Sequence, residues 1–318
     1  MRDNHNRRIN YLRLSVTDLC NLRCRYCMPE QGIEKKNHQE ILSFEQISTY
    51  VDTLVHMGID KIRITGGEPL VRKDILTLLS AIGHHKEIKE FTLTTNGLLL
   101  KSMAGALKEV GIQRVNISLD SLNPEKFRKM TRGGNLSDVI EGIEAAEKAG
   151  LTPIKINVVL IGGFNDDEVE DFIRLTVNRK IDVRFIELMP IGEVAHWSLE
   201  NFISADTVLQ KVPELIKADD TEHGSPAVHY RLPYGQGRVG LIRPISCKFC
   251  KDCNRIRLTS SGQLKYCLHS NDALDLRQIR QEPEALEKAI QDFIMKKPYE
   301  HQLEDGCYSL ANMVGIGG

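Results

Sequence analysis

Cys20, Cys24 and Cys27 fall within the eight-residue stretch CNLRCRYC, spaced C-x₃-C-x₂-C. Clustered thiols of this kind bind metal. A structural zinc site closes on four ligands, yet no fourth Cys or His follows at a usual local spacing, the next histidine being His38, eleven residues beyond Cys27. A distant ligand keeps zinc open on spacing alone. A [4Fe–4S] cube has four irons, each asking for an outside ligand. Three cysteines would then hold three irons and leave the fourth free for a small molecule. A second group follows 220 residues later, Cys250-x₂-Cys253-x₁₃-Cys267, with Cys247 just before it as a fourth thiol. For this group, spacing alone leaves the zinc-ribbon and cluster readings level.

Seven of the eight cysteines lie in these two groups. In a reducing cytosol that pattern points to metal or redox chemistry and away from a disulfide scaffold. The eighth, Cys307, reads as a small buried hydrophobe. The 318 residues are 41% apolar and 27% charged, a globular composition with room for one large α/β domain and a smaller appendage. The net charge of −1 excludes a polycation built for nucleic acid, so any anionic ligand must meet local basic clusters. No run of about eighteen apolar residues exists to span a membrane, and MRDNHNRRINYL lacks the apolar core of a secretion signal. The expected compartment is the cytoplasm.

Six β-branched apolar runs must position the first thiols: YLRLSV (11–16), KIRIT (61–65), FTLT (91–94), RVNISL (114–119), PIKINVVL (153–160) and VRFIEL (183–188). Helical patterns alternate with them. Ser43 and Gln46 form a capping box ahead of the face Ile47, Tyr50, Val51, Leu54 and Val55, which Gly58 ends. Further faces are Ile75, Leu78, Leu79 and Ile82; Val139, Ile140, Ile143 and Ala146; and Val169, Phe172, Ile173 and Val177. Strand–helix alternation implies parallel strands with right-handed crossovers, in an open doubly wound sheet or a partial barrel. Arg13, Arg63, Thr94, Asn116, Ser118, Lys155, Asn157 and Arg184 interrupt the strands. A sheet covered on both faces has little room for them; a barrel with a wide polar interior does. Beyond residue 190, GEVAHWSLENF and KADDTEHGSP read as connection, and AVHYRL, RVGLI, RIRLT and QLKYC read as short strands of a second, smaller layer. The expected division is 1–220 and 221–318. In a barrel, loops after the strands' C-terminal ends carry the active site, and Cys20 follows the first strand.

With Tyr26 just before the third cysteine and Thr65-Gly66-Gly67-Glu68-Pro69 closing the second strand, the chain resembles the radical S-adenosylmethionine superfamily. FCKDCNRIRLTSSGQLKYCL and the final Gly317-Gly318 narrow the resemblance to the GTP 3′,8-cyclases of molybdenum cofactor biosynthesis, over nearly the whole chain. The resemblance implies an α/β fold, a partial (β/α)₆ TIM-type barrel whose C-terminal β-containing extension carries a second cluster. It implies two [4Fe–4S] clusters, on Cys20, Cys24 and Cys27 and on Cys250, Cys253 and Cys267, with S-adenosylmethionine on the open iron of the first. The implied reaction takes hydrogen from C3′ of GTP and joins that carbon to C8 of guanine, giving 3′,8-cyclo-7,8-dihydro-GTP.

Carried over by position, Tyr26, Gly67, Ser118 and Met189 meet S-adenosylmethionine. Arg13, Arg63, Thr94, Lys155, Arg184, Arg255, Ile256 and Arg257 meet GTP. Arg255, Arg257, Gly317 and Gly318 take catalytic parts. Guanidinium groups suit a triphosphate, and Arg255 and Arg257 alternate onto one strand face. Cys247 is expected to stay off the second cluster. The implied partners are GTP, an electron donor and a pyranopterin monophosphate synthase that takes the product; a homodimer is left open. The competing readings are a peptide-modifying radical enzyme with one auxiliary cluster, which would lack the basic strand residues, and a non-catalytic zinc or iron–sulfur protein.

Overall fold

The computed structural model describes residues 1–34, 36–219, 224–303, 306 and 308–317, with His38 by its backbone alone. Cys307, Gly318 and the expected 220/221 division lie outside the described residues. The six apolar runs form β1 (Tyr11–Ser15), β2 (Lys61–Thr65), β3 (Glu90–Thr95), β4 (Arg114–Ser118), β5 (Ile154–Leu160) and β6 (Ile181–Glu187), hydrogen-bonded in that order and parallel throughout. Between them run α1 (Phe44–His56), α2 (Ile75–Gly83), α3 (Leu100–Glu109), α4 (Pro124–Thr131), α5 (Leu136–Lys148) and α6 (Val169–Arg174). The capping box of α1 forms as its residue types demand: Ser43 Oγ accepts from Gln46 N, and the Gln46 side chain returns to Ser43 N at 2.9 Å.

Two helical faces differ from the pattern. Ile140 is 36% exposed, and Gly142 takes the buried place. Leu136, Val139, Ile143 and Ala146 already complete the i, i+3, i+7 stripe, and a Cβ at Gly142 would stand 2.6 Å from the Gly97 carbonyl. The α6 helix stops at Arg174, so Val177 is half-buried outside it.

The stretch GEVAHWSLENF is helical where connection was expected: a 3₁₀ turn over Gly192–Val194 leads into α7 (Ala195–Glu200), followed by α8 (Thr207–Lys211). The remaining strands are β7 (Ile216–Lys217), β8 (Ala227–Arg231), β9 (Val239–Ile242), β10 (Arg255–Leu258), β11 (Gln263–Lys265) and β12 (Leu274–Asp275); α9 (Pro283–Ile294) and α10 (Met313–Ile316) complete the chain. These strands form no separate layer. They continue the same sheet at both flanks, in the order β12-β11-β10-β1-β2-β3-β4-β5-β6-β9-β8-β7. Joining β1 and β6 gives the backbone groups of those edges their partners. Because β10 is parallel to β1 and β9 to β6, eight neighbouring strands run one way, flanked by antiparallel pieces.

The flanks meet across the concave side. Arg255 Nη2 donates to Gly224 O at 2.9 Å, and Gly224 adopts φ +76° with the Asn254 side chain lying where a Cβ would sit. Strand alternation separates two environments. Leu12, Leu14, Ile62 and Ile64 pack outward into the helix-covered core. Arg13 faces inward, in register with Arg63 on one side and Arg257 on the other. Three guanidiniums thus stand on adjacent strands about 4.8 Å apart, an arrangement that repels itself. The hollow polar interior inferred from the interrupted strands is the observed one.

The helix face of α5 gives a direct check. Ile143→Ala is expected to lower unfolding free energy by about 2–5 kcal/mol, while Ile140→Ala stays within about 0.5 kcal/mol. Equal losses in chemical denaturation would contradict the observed rotation of α5.

Candidate functional site

The first cysteine loop leaves β1 and is pinned from below by the end of β2. Gly67 N donates to Thr17 O and Glu68 N to Leu19 O, both at 2.8 Å. A Cβ on Gly67 would stand 2.4 Å from Leu19 O, and one on Gly66 2.7 Å from Thr17 O. The glycines therefore first serve close approach of the chain to its own cysteine loop. Glu68 is fully buried. Its carboxylate accepts from Asn96 N (2.7 Å), Thr95 Oγ1 (2.9 Å) and Leu70 N (3.1 Å), and burial lifts its pKa to about 7 against those bonds. Asn96 in turn reaches Asn21 Oδ1 (2.7 Å) and Cys20 Sγ (3.9 Å), while Leu22 N donates to the same sulfur at 3.4 Å. Tyr26 Oη donates to Asp120 Oδ2 at 2.7 Å, and Val159 N to Asp120 Oδ1 at 2.8 Å; burial raises Asp120 to about 6.

The thiols of Cys24 and Cys27 are pushed well up, first by burial and then by their neighbours in the triad. As bare thiols they resist ionisation. A cationic iron centre removes that resistance, because coordination deprotonates a thiol outright. The donor set, the N–H···S contacts and the close triad suit such a centre.

The second triad is held by different devices. Glu187, at the end of β6 and fully buried, accepts from Ile245 N and Ser246 N at 3.0 Å and from Ser246 Oγ, fixing the approach to the cysteines. Arg7, neutralised by Asp3 at 2.6 Å, donates to Cys250 O (2.8 Å), Pro298 O (2.7 Å) and Tyr299 O (2.8 Å). Burial alone would raise Cys253, but Lys297 and Arg255 outweigh it and hold the thiol down to about 6. Cys250 and Cys267 act electrostatically on one another, as do Cys250 and Cys253. Cys247 is exposed. Among the described residues no three Cys, His, Asp or Glu side chains converge on one point as ligands of a single ion do. A cube spreads its thiolates over separate irons.

All six triad cysteines line one cavity of about 280 Å³, and Cys247 is not among its lining. Tyr26, Gly67, Ser118 and Met189 line the same cavity, together with Arg13, Thr94, Arg255 and Arg257. A smaller cavity of about 70 Å³ continues toward the strand N-termini, where Arg63 and Arg184 join Tyr11, Lys61, Glu90 and Arg114. Arg13, Asn157 and Arg255 border both spaces. Lys155 is 2% exposed and borders neither; its charge helps keep the Asp182 carboxyl low, against burial and with Arg238 contributing most. Ile256 turns its side chain into the core, opposite to the face of Arg255 and Arg257, so that only its backbone is on offer to the cavity side.

The interior is cationic and under-satisfied. Burial, then Arg257 and Arg63, pull Arg13 well below the ordinary arginine range. Burial likewise brings Arg257 to about 10, with Cys267 opposing and Arg255 adding. Arg13 Nε, Arg255 Nε, Thr65 Oγ1, Asn157 Oδ1 and both polar atoms of the Asn116 side chain are buried without a hydrogen-bond partner among the described residues. Buried polar atoms are almost always paired, so this concentration fits a polyanionic, hydrogen-bonding ligand.

The C-terminal segment closes the cavity. Met313 and Val314 line it, and Arg257 Nη1 donates to Gly317 O. Gly317 has φ +80°, and a Cβ there would meet Ser15 Cβ and Thr65 Oγ1 at 2.7 Å. Two asparagines fasten the segment. Asn312 Oδ1 accepts from Glu193 N (3.1 Å) while its Nδ2 donates to Glu193 Oε1 (3.0 Å), and Asn271 Oδ1 accepts from Leu310 N at 2.9 Å. Gly318 lies outside the described residues.

Sequence reasoning missed Asn96, Asp120, Glu187, Arg7, Lys297 and Asn312, and gave Glu68 no role beyond its motif. Glu187 had a local signal, a carboxylate inside the apolar run VRFIEL. Arg7, Lys297 and Asn312 had none, because the contacts that tie them to the site are distant in sequence.

Residues 14–176 match the family model of the Radical SAM superfamily, and residues 181–303 that of Molybdenum Cofactor Synthesis C. A GTP 3′,8-cyclase of Peptoclostridium acidaminophilum is 57% identical over 317 residues, covering 99% of this chain and 98% of that protein. A GTP 3′,8-cyclase of Alkaliphilus oremlandii is 54% identical over 321 residues, covering the whole of both. The crystal structure of Streptococcus suis SuiB bound to S-adenosylmethionine superposes with a TM-score of 0.59 at 17% identity, over 92% of this chain and 67% of that one. At that identity the likeness concerns the fold alone.

Replacing Asn312 by alanine is expected to speed amide hydrogen exchange over 309–317 roughly thirtyfold, at about 1 kcal/mol for each of the two lost hydrogen bonds, without moving the exchange of β1–β6. Unchanged exchange in 309–317 would show that the segment is held by other contacts.

Proposed function

The chain belongs to the GTP 3′,8-cyclase family of radical S-adenosylmethionine enzymes, and on that premise we propose how its residues carry the reaction, the cyclisation of GTP that opens molybdenum cofactor biosynthesis. Cys20, Cys24 and Cys27 hold the first [4Fe–4S] cluster; Cys250, Cys253 and Cys267 hold a second, with Cys247 off it. When bound, the first cluster with S-adenosylmethionine supplies the 5′-deoxyadenosyl radical that takes hydrogen from the ribose.

The remaining work belongs to the chain. Tyr26, Gly67, Ser118 and Met189 line the space for S-adenosylmethionine. Arg13, Arg63 and Arg184 receive the triphosphate, with Lys155 adding charge from behind; guanidinium forks meet phosphate oxygens two at a time. Arg255 and Arg257 face the purine beside the second triad, where C8 must approach C3′. The apolar lining, which includes Val159, Ile186, Phe249 and Val314, excludes water from carbon radicals. Gly317, lodged on Arg257, completes the wall. The observation that carries this reading is the row Arg257–Arg13–Arg63, whose mutual repulsion is relieved by a nucleotide lying along it with its triphosphate at the Arg13–Arg63 end.

The free thiols of both triads suit a reducing cytoplasm, and no helix among the described residues is long and apolar enough to cross a membrane. An electron donor and a pyranopterin monophosphate synthase are the expected partners on either side of the reaction. The near-zero net charge gives no support to nucleic acid as a partner. A peptide substrate is the rival within the superfamily. The SuiB fold is also crystallised with a precursor peptide, but a row of arginines has no evident use for one.

Anaerobically reconstituted protein with GTP, S-adenosylmethionine and dithionite should yield 5′-deoxyadenosine together with a cyclised GTP product. Deoxyadenosine formed without loss of GTP would overturn the reading. Iron analysis should give about eight irons per chain, unchanged by Cys247→Ala and about halved by Cys253→Ala. Iron lost on replacing Cys247 would make it a ligand.

A further inference from the structure

Lys297, just beyond α9, is 3% exposed. Its ammonium reaches Cys253 Sγ at 3.6 Å, Arg255 O at 3.1 Å and Tyr266 O. Lysine is almost never so buried unless paired. Among the described residues no carboxylate pairs with Lys297; its acceptors are one sulfur and two carbonyls. Arg7 makes the contrast. It too grips the second cysteine loop, but the Asp3 carboxylate neutralises it at 2.6 Å. Arg255 also faces Cys253, from the cavity, and its guanidinium is engaged with Gly224 O and the Phe249 ring. Lys297 approaches from α9 and does not line the cavity, so it is no substrate contact.

Its contacts join Cys253, the start of β10, and the residue before Cys267. One buried ammonium thus joins the Cys253 sulfur to the backbone just before Cys267. We propose that Lys297 is a positioning residue of the second centre, fixing Cys253 against Cys267 and supplying the positive charge that favours the reduced state of a cluster bound there. This rests on the second triad holding a cluster, and adds a residue outside the triad that governs it. A fixed cation beside a redox centre stabilises the more negative oxidation state, so removing it lowers the midpoint potential.

The test uses the full-length chain with Cys20, Cys24 and Cys27 replaced by alanine, so that iron on the second triad is read alone. Iron content and the EPR-monitored midpoint potential are compared for that parent and for Lys297→Met, Lys297→Gln and Lys297→Arg added to it. The neutral variants should keep their far-UV circular dichroism and show a lower potential or lose iron, and Lys297→Arg should restore the parent's behaviour. Neutral variants with the parent's iron and the parent's potential would overturn the proposal. A parent without iron would instead remove the second-cluster reading, and the inference with it. If Lys297→Met fails to fold, Lys297→Gln, which keeps a hydrogen-bond donor, decides.

Discussion

The parallel pairing of β10 with β1 is the constraint on which the rest depends. Tyr11 lies opposite Arg255 and Arg13 opposite Arg257. That register carries Cys253, two residues before β10, to the flank of the strand whose far end launches Cys20. Two thiol groups more than two hundred residues apart in sequence consequently border one cavity. The same register stacks Arg257, Arg13 and Arg63 side by side. Backbone ladder bonds, not side-chain attraction, keep these cations together.

The architecture explains how that repulsion is tolerated. Each strand gives one face to the apolar core, where Leu12, Leu14, Ile62 and Ile64 are essentially inaccessible to water, and the other to the hollow interior. Core burial fixes the register, and the register then imposes the charge row. A half-buried and a buried carboxylate distribute the tension. Glu90 takes Lys61 at 2.5 Å and Arg114 at 2.8 Å, and Asp182 takes Arg238 at 2.7 Å. None of these carboxylates reaches Arg13 or Arg257, which leaves the centre of the row for a ligand. Glu68 and Glu187, at the ends of β2 and β6, bind backbone amides of the loops that support the cysteines, and Asp120, just beyond β4, ties Tyr26 Oη of the first cysteine loop to Val159 N of β5. They are struts for the site.

Much of this was legible in the chain. β-branched runs marked all six barrel strands within a few residues, because buried parallel strands must be rich in such side chains. Polar interruptions such as Arg13 and Asn157 betrayed the hollow interior, since no covered sheet would accept them. The cysteine spacings marked both triads. What escaped depends on contacts distant in sequence. That β10 and β9 extend the first sheet instead of forming a second layer cannot be read from RIRLT or RVGLI, which fit any half-buried strand. Ile256 was taken with its arginine neighbours, although alternation alone turns it to the core. Arg7 and Lys297 are ordinary basic residues until the fold sets them beside Cys250 and Cys253.

Crystals of the anaerobically reconstituted chain, measured at the iron absorption edge, test the central claim most directly. The account predicts two iron centres facing the same cavity, one on Cys20, Cys24 and Cys27 and one on Cys250, Cys253 and Cys267, with the Arg13 side chain on the cavity wall that joins them. A single iron centre, a zinc ion on the second triad, or two centres walled off from each other would contradict it.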